Sequence, residues 1–337
     1  MPALRTEITE IVSGLGTLGD DLDAVLTADS APDELRNVDE ATWARLRTAH
    51  LDGTHRAEIL AAWNNGRALL RASDGLRNRR PAIVEWKGGH RDPGDESVPA
   101  DLRIDHVYLI SCKYLSKVLH NASPWALFSH HLVGALARRN EGDWFDAVAP
   151  REHQELYRLV RQRYGADLGL PEAAGRLSTA QRRLLRARIP RDWDEGCQAA
   201  YAALVEQTSG ESTRRWAEGL GTARDREMML WRLLRLTPAP YFVLGTSAAG
   251  SLRLRVDTPW DFTRAHKVHR LDLLAGTGGQ ATVEWSAVVT DRSTGDDRSV
   301  RGHVEVRWSH GRFGGPPEAK VYLDTPHERV PGYVALR

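Results

Sequence analysis

An acid and a lysine bracket one short apolar stretch: Asp101, then Leu102-Arg-Ile-Asp-His-Val-Tyr-Leu-Ile, then Ser111-Cys-Lys113. The stretch is rich in the β-branched and aromatic residues that strands favour. It reads as a short strand, a tight reversal near Asp105-His106, and a second strand from Val107 to Tyr114. Such a hairpin returns Lys113 to the end where Asp101 begins, and alternation puts Ser111 and Lys113 on one face with Cys112 on the other. A carboxylate beside a lysine suits metal-assisted phosphodiester hydrolysis. The acid holds a divalent cation, and the amine orients the attacking water or offsets charge developing on phosphate. Asp101, Ser111 and Lys113 are therefore the candidate catalytic residues, and Asp101 is the expected ligand of Mg²⁺ or Mn²⁺.

Ser111 brings no charge, so such a site needs another acid. Glu85 is the first candidate, from the short strand Ala82-Ile-Val-Glu-Trp-Lys87, where Glu85 and Lys87 have the same Glu-x-Lys spacing. Glu58 follows, on a helical segment from about 54 to 72, with Asp105 in reserve at the far end of the hairpin. Each has a plainer reading: Glu58 as a solvated helix-surface acid, Glu85 as a polar residue of an edge strand. A third Glu-x-Lys, Glu318-Ala-Lys320, has Asp291, Asp296 and Asp297 upstream, but these acids sit in an apparent turn.

The Pro99-Ala-Asp101 … Ser111-Cys-Lys113 pattern resembles the PD-(D/E)xK nuclease superfamily, in a variant with serine at the second acidic position. The resemblance covers roughly residues 42–139, and Ala100 separates the proline from the acid. It implies a restriction-endonuclease-like core in the order helix, strand, acid-bearing hairpin, helix. It also implies a metal-dependent DNA endonuclease of restriction or phage defence, with DNA, a homodimer or a defence-system subunit as partners. In that superfamily a helix before the first core strand often supplies an acid, which is the role Glu58 would take. A non-catalytic nucleic-acid-binding protein with a degraded nuclease core is the alternative, and an α+β interaction protein is another.

The whole chain sets wider bounds. Its 337 residues, 27% charged and 41% hydrophobic, can bury a sizeable core. A formal net charge of +1 tells against a uniformly basic coat, though a local arginine stripe can still grip nucleic acid. Two cysteines, Cys112 and Cys197, make no disulfide framework, there is no zinc-ligand spacing, and no apolar run reaches the ~20 residues that span a bilayer. A cytoplasmic setting is expected.

Periodicity supplies the elements and an α+β class. A helical N-terminal region (1–40) contains Gly14-Leu-Gly-Thr-Leu-Gly19, which reads as glycines of a helix–helix connection because no strand precedes it. A nuclease-like α/β core (41–140) ends in a helix expected from Trp125 to Arg138, capped by Ser123 and Pro124. Its paired His130 and His131 point about 100° apart and are not a metal pair. A helical region (141–236) follows, and an antiparallel β module (237–337) begins where the period changes to two. Two basic stretches are candidate nucleic-acid contacts: one with Arg182, Arg183 and Arg186, the other with Arg307, Arg312 and Lys320 around a Gly-rich loop with aromatic residues.

Overall fold

A computed structural model describes residues 4–88, 100–132 and 142–337. Helices and strands form an α+β fold with one mixed and one antiparallel sheet. In chain order the strands are β1 (Leu35–Arg36), β2 (Val84–Trp86), β3 (Leu102–Ile104), β4 (Tyr108–Tyr114), β5 (Val118–Ala122), β6 (Tyr241–Ser247), β7 (Gly250–Val256), β8 (His266–Ala275), β9 (Ala281–Asp291), β10 (Asp297–Trp308), β11 (Pro317–Leu323) and β12 (Tyr333–Ala335).

The chain divides into two compact units, each made of separated segments. Unit 1 comprises residues 1–117, 235–266 and 326–337; unit 2 comprises 118–234 and 267–325. The segment expected to form one β module from 237 is therefore shared: β6, β7 and β12 belong to unit 1, and β9 to β11 to unit 2.

Unit 1 holds a sheet in the order β1-β2-β3-β4-β6-β7-β12. β2, β3 and β4 run as an antiparallel meander, and β4 pairs in parallel with β6. Since β1 lies on the other side of β2, β2 is not an edge strand. The helix spanning 4–16 and the helix Arg56–Arg71 cover one face and share a core with Val84, Trp86, Leu102, Ile104, Ile110, Phe242 and Leu244. The first helix is buried all along its length from Glu7, its polar residues Glu7, Thr9, Glu10 and Ser13 included.

Its glycines are packing residues rather than a flexible connection. A Cβ on Gly16 would lie 2.3 Å from the Trp63 carbonyl oxygen, and one on Gly66 would lie 2.0 Å from that of Ser13. The two helix backbones meet at these glycines. Only Gly19, with φ +84°, serves the turn.

Unit 2 sets the sheet β5-β11-β10-β9-β8 beside helices Pro150–Tyr164, Thr179–Arg188, Glu195–Gly219 and Ala223–Leu233. Its aromatic core joins Phe145, His153, Tyr157, Trp308 and Phe313. Two local readings change here. Residues 118–122, whose polar sequence reads as a connection, form β5 because β11 supplies the pairing that their own pattern does not announce. The helix expected to start at Trp125 spans Pro124–Phe128, with the Ser123 cap in place, and His131 and Leu132 then take positive φ. The rest of that expected helix, from Val133, lies outside the described residues, as do Val98 and Pro99.

Candidate functional site

The hairpin forms as its residues dictate. Leu102 pairs with Ile110 and Ile104 with Tyr108, while Asp105 and His106 take positive φ (48° and 60°) in the reversal. The Asp105 carboxylate accepts from the Ala82 and Ile83 N–H groups, at 2.8 and 3.1 Å, and so ties the turn to the start of β2. This commits Asp105 to structure at the end of the hairpin away from Lys113.

At the other end, the Asp101 N–H donates to the Ile110 carbonyl (2.8 Å) and the Lys87 N–H donates to the Asp101 carbonyl (2.9 Å). Asp101 Oδ2 accepts the Cys112 N–H at 2.6 Å and the Ser111 hydroxyl at 3.3 Å. Its other oxygen, Oδ1, has no hydrogen-bond partner among the described residues. Ser111 therefore orients Asp101. Lys113 stands two residues beyond on the same side of β4, paired with Gly245 of β6. A Cβ on Gly245 would fall 1.8 Å from the Lys113 carbonyl oxygen, so only glycine lets β6 come this close.

The charges around Lys113 include two groups that spacing does not reveal. Burial pushes the Lys113 ammonium below the ordinary lysine range, while Asp101 opposes that shift and Arg235 adds to it. Glu10 also supports the charged form, and the same Glu10 and Asp101 join burial in holding the Cys112 thiol well up. Glu10 lies within the π-helical turn Ile8–Val12, and its Oε2 accepts the Trp86 Nε1–H at 2.6 Å. A π turn inside an α-helix frequently marks a functional position. The other group is His327, 7% exposed, whose Nε2 has no hydrogen-bond partner. Burial first, then Lys113, depresses its pKa to about 4.

The expected accessory acids are engaged elsewhere. Glu85 is held by Arg103 (2.6 and 3.0 Å) and lies 3.1 Å from His106; Arg103 chiefly holds its carboxyl below the usual range. Register explains this: Glu85 faces Arg103 across β2 and β3, and the neighbour of Asp101 is Lys87, buried at 4% exposure. Glu58, in the first turn of its helix, pairs with Arg5 (3.4 Å) and His55 (3.6 Å). The Glu318–Lys320 pair is closed at 3.4 Å on β11, and Asp297 begins β10 at the opposite end from Glu305, the partner of Lys320, about 26 Å along the strand.

A divalent cation would find few protein donors here. Among the described residues no group of three or more His, Cys, Asp or Glu is placed to hold one. Mg²⁺ at phosphoryl-transfer sites needs less, because it takes one or two carboxylates and fills its shell with water and substrate oxygens. Asp101 Oδ1 supplies one such carboxylate oxygen, and Glu10, the other acid whose charge reaches Lys113, is the candidate for a second.

The two basic stretches come together in unit 2. Arg312 Nη1 donates to the carbonyls of Pro190 and Arg191, and the Arg186 side chain lies against Gly311 and Gly314. Arg182 turns inward, with its side chain 14% exposed and Nη2 3.8 Å from Asp143 Oδ2. That removes it from any contact surface. Among the described residues Arg183, Arg186 and Arg312 have no ion pair, whereas Arg307 approaches Glu305 (3.5 Å) and Glu318 (3.8 Å).

No family model, curated protein or solved structure matches this chain. No helix among the described residues is long and apolar enough to cross a membrane.

Proposed function

We propose that the protein is a nucleic-acid phosphodiesterase, a metal-dependent DNA endonuclease centred on Asp101 and Lys113. The observation that carries this reading is the end of the β3–β4 hairpin. There a carboxylate with a free oxygen, oriented by Ser111 and the Cys112 N–H, stands by a largely desolvated lysine in a sheet where β4 runs parallel to β6.

Asp101 Oδ1 and Glu10 would hold Mg²⁺ or Mn²⁺. When bound, the cation supplies Lewis acidity to the phosphate and lowers the pKa of a water. Lys113 places a positive charge in a poorly solvated site, where it counts for more against the charge growing on the phosphate oxygens than it would in water. Ser111 keeps Asp101 in position. Lys87 and Arg235 add positive potential on the side that receives an anionic backbone.

The test is cleavage of supercoiled and linear DNA by the purified protein with Mg²⁺ or Mn²⁺. Asp101→Asn and Lys113→Ala should each lose cleavage; persistence in Lys113→Ala would sink the assignment. A second reading, a non-catalytic nucleic-acid-binding protein, is favoured by one observation: Glu85 and Glu58 are both committed to ion pairs. It predicts DNA binding without metal-dependent cleavage in the unaltered protein.

A further inference from the structure

We infer that unit 2 carries a phosphate-binding pocket organised by Arg312. The inference deepens the nucleic-acid reading by naming where a backbone phosphate is gripped. The pocket is an open cavity of about 460 Å³, lined by Tyr201, Gln280, Arg307, Trp308, Ser309 and Arg312 with the backbone at Gly279 and Gly311. Two arginines and no carboxylate line it.

Arg312 is fixed before any ligand arrives. Its guanidinium lies 3.9 Å from the centre of the Trp193 ring, and Nη1 donates to two carbonyls at 3.1 and 2.9 Å. Among the described residues Nε and Nη2 have no partner, and no carboxylate pairs with the group. The turn that presents it holds Gly311 at φ +87° and Phe313 at φ +58°. Positive φ is costly for a phenylalanine, and it is retained here because the ring is fully buried, stacked at 5.6 Å on His153 and packed on Trp308. The aromatic core thus holds a strained turn that presents a pre-oriented cation.

Arg186, packed against Gly311, is a second cation without an acid. The contacts of Arg307 with Glu305 and Glu318 exceed hydrogen-bonding distance, which leaves its donors available. A planar guanidinium with unused N–H groups matches the paired oxygens of a phosphate, and fixing it in advance lowers the ordering cost of binding. The aromatic rings contribute support rather than a stacking face: Trp308 is 6% exposed and the Tyr201 hydroxyl donates to Gln280. The ligand class is therefore a phosphate mono- or diester, recognised through its oxyanion.

The plainer account makes Arg312 a clamp between residues 190–193 and the 311–313 turn. The salt slope of Arg312→Gln separates the two, since loss of a clamp alone removes no phosphate contact and leaves the slope unchanged. With the full-length protein, a fluorescein-labelled DNA 20-mer should bind about tenfold more weakly to Arg312→Gln, with the salt slope reduced by about one. Arg307→Gln, which breaks no hydrogen bond of the fold, should weaken binding several-fold. Competition arms with thymidine 5′-monophosphate and inorganic phosphate identify the source. Oligonucleotide binding blocked only at high concentrations of either supports a backbone site. Arg312-dependent binding of the small phosphates without oligonucleotide binding supports the pocket and assigns it to a mononucleotide or free phosphate. The binding titrations contain no divalent cation and read no cleavage, so a failure of the cleavage reading leaves this test standing. Unchanged affinity and salt slope in both arginine variants would overturn the inference.

Discussion

Lys113 has two measurable properties that pull apart. Burial works against its charge, so removing that charge relieves a desolvation cost even as it removes the proposed electrostatic role. Lys113→Met should therefore lose at least about 100-fold in cleavage while the midpoint of urea unfolding stays level or rises. A variant that is both inactive and strongly destabilised would mean Lys113 is an anchor of the sheet. Asp101 differs. Its Oδ2 accepts a buried backbone N–H, so Asp101→Ala should cost roughly 1–3 kcal/mol of stability through the orphaned Cys112 donor, and Asp101→Asn is the cleaner probe of chemistry. His327 gives a pH signature. Its folded pKa of about 4 lies below the ordinary 6.5. Above pH 6.5 neither state takes a proton there, and no penalty exists. Between 6.5 and 4 the unfolded chain binds a proton that the folded one refuses, so stability falls as pH falls. Below 4 the loss levels off near about 3 kcal/mol. His327→Gln should flatten the unfolding free energy between pH 4 and 6.5 relative to the parent, and parallel curves would refute the assignment.

At the scale of elements, what the sequence made legible was local. The hairpin, the Ser123 cap and strand β2 follow from alternation, turn residues and capping chemistry within a few positions of each other. Glu10 was illegible because its helix is buried all round, and neither its π turn nor its approach to Trp86 leaves a mark at sequence spacing. Glu85 was misassigned in role for a related reason: Glu-x-Lys spacing fixes a shared face, but cross-strand register decides whether the acid meets Arg103 or Asp101. β5 was missed because its partner is about 200 residues away. The glycines at which the first helix meets the helix Arg56–Arg71 carry the clearest element-level prediction. Gly66→Ala forces its new methyl group to within 2.0 Å of the Ser13 carbonyl oxygen, and neither backbone can yield without parting the helices. The expected loss is at least about 3 kcal/mol, seen as a large fall in unfolding midpoint. Gly53→Ala, whose Cβ meets nothing within 4 Å, should cost only the backbone strain of φ +67°. Equal effects of the two would show that the helices do not cross at these glycines.

For the molecule as a whole, a net charge of +1 predicts little attraction to a polyanion at long range, so any nucleic-acid affinity must come from local excess. Many arginines do not supply it, because acids of the same chain pair with them: Arg80 with Asp20 and Glu34, Arg103 with Glu85, and Arg214 with Glu211 and Glu218. The helix Thr179–Arg188 is different, with Arg183 and Arg186 exposed and unpaired, Arg188 near Asp167, and Arg182 directed inward to Asp143. Asp143 itself is raised by burial, so the Arg182 contact belongs to the interior. The charge pattern thus distinguishes neighbours on one helix. Arg183→Ala with Arg186→Ala should lower DNA affinity and reduce the slope of log K against log salt by about two, since each neutralised phosphate contributes about 0.9. Arg182→Ala should leave the slope unchanged and instead lower stability, by exposing the buried Asp143 carboxylate to an unpaired state. An anisotropy titration between 50 and about 200 mM salt, paired with thermal unfolding, reads both quantities. A slope that falls in Arg182→Ala and holds in the double variant would reverse the orientation of this helix and remove its outer face from the nucleic-acid surface.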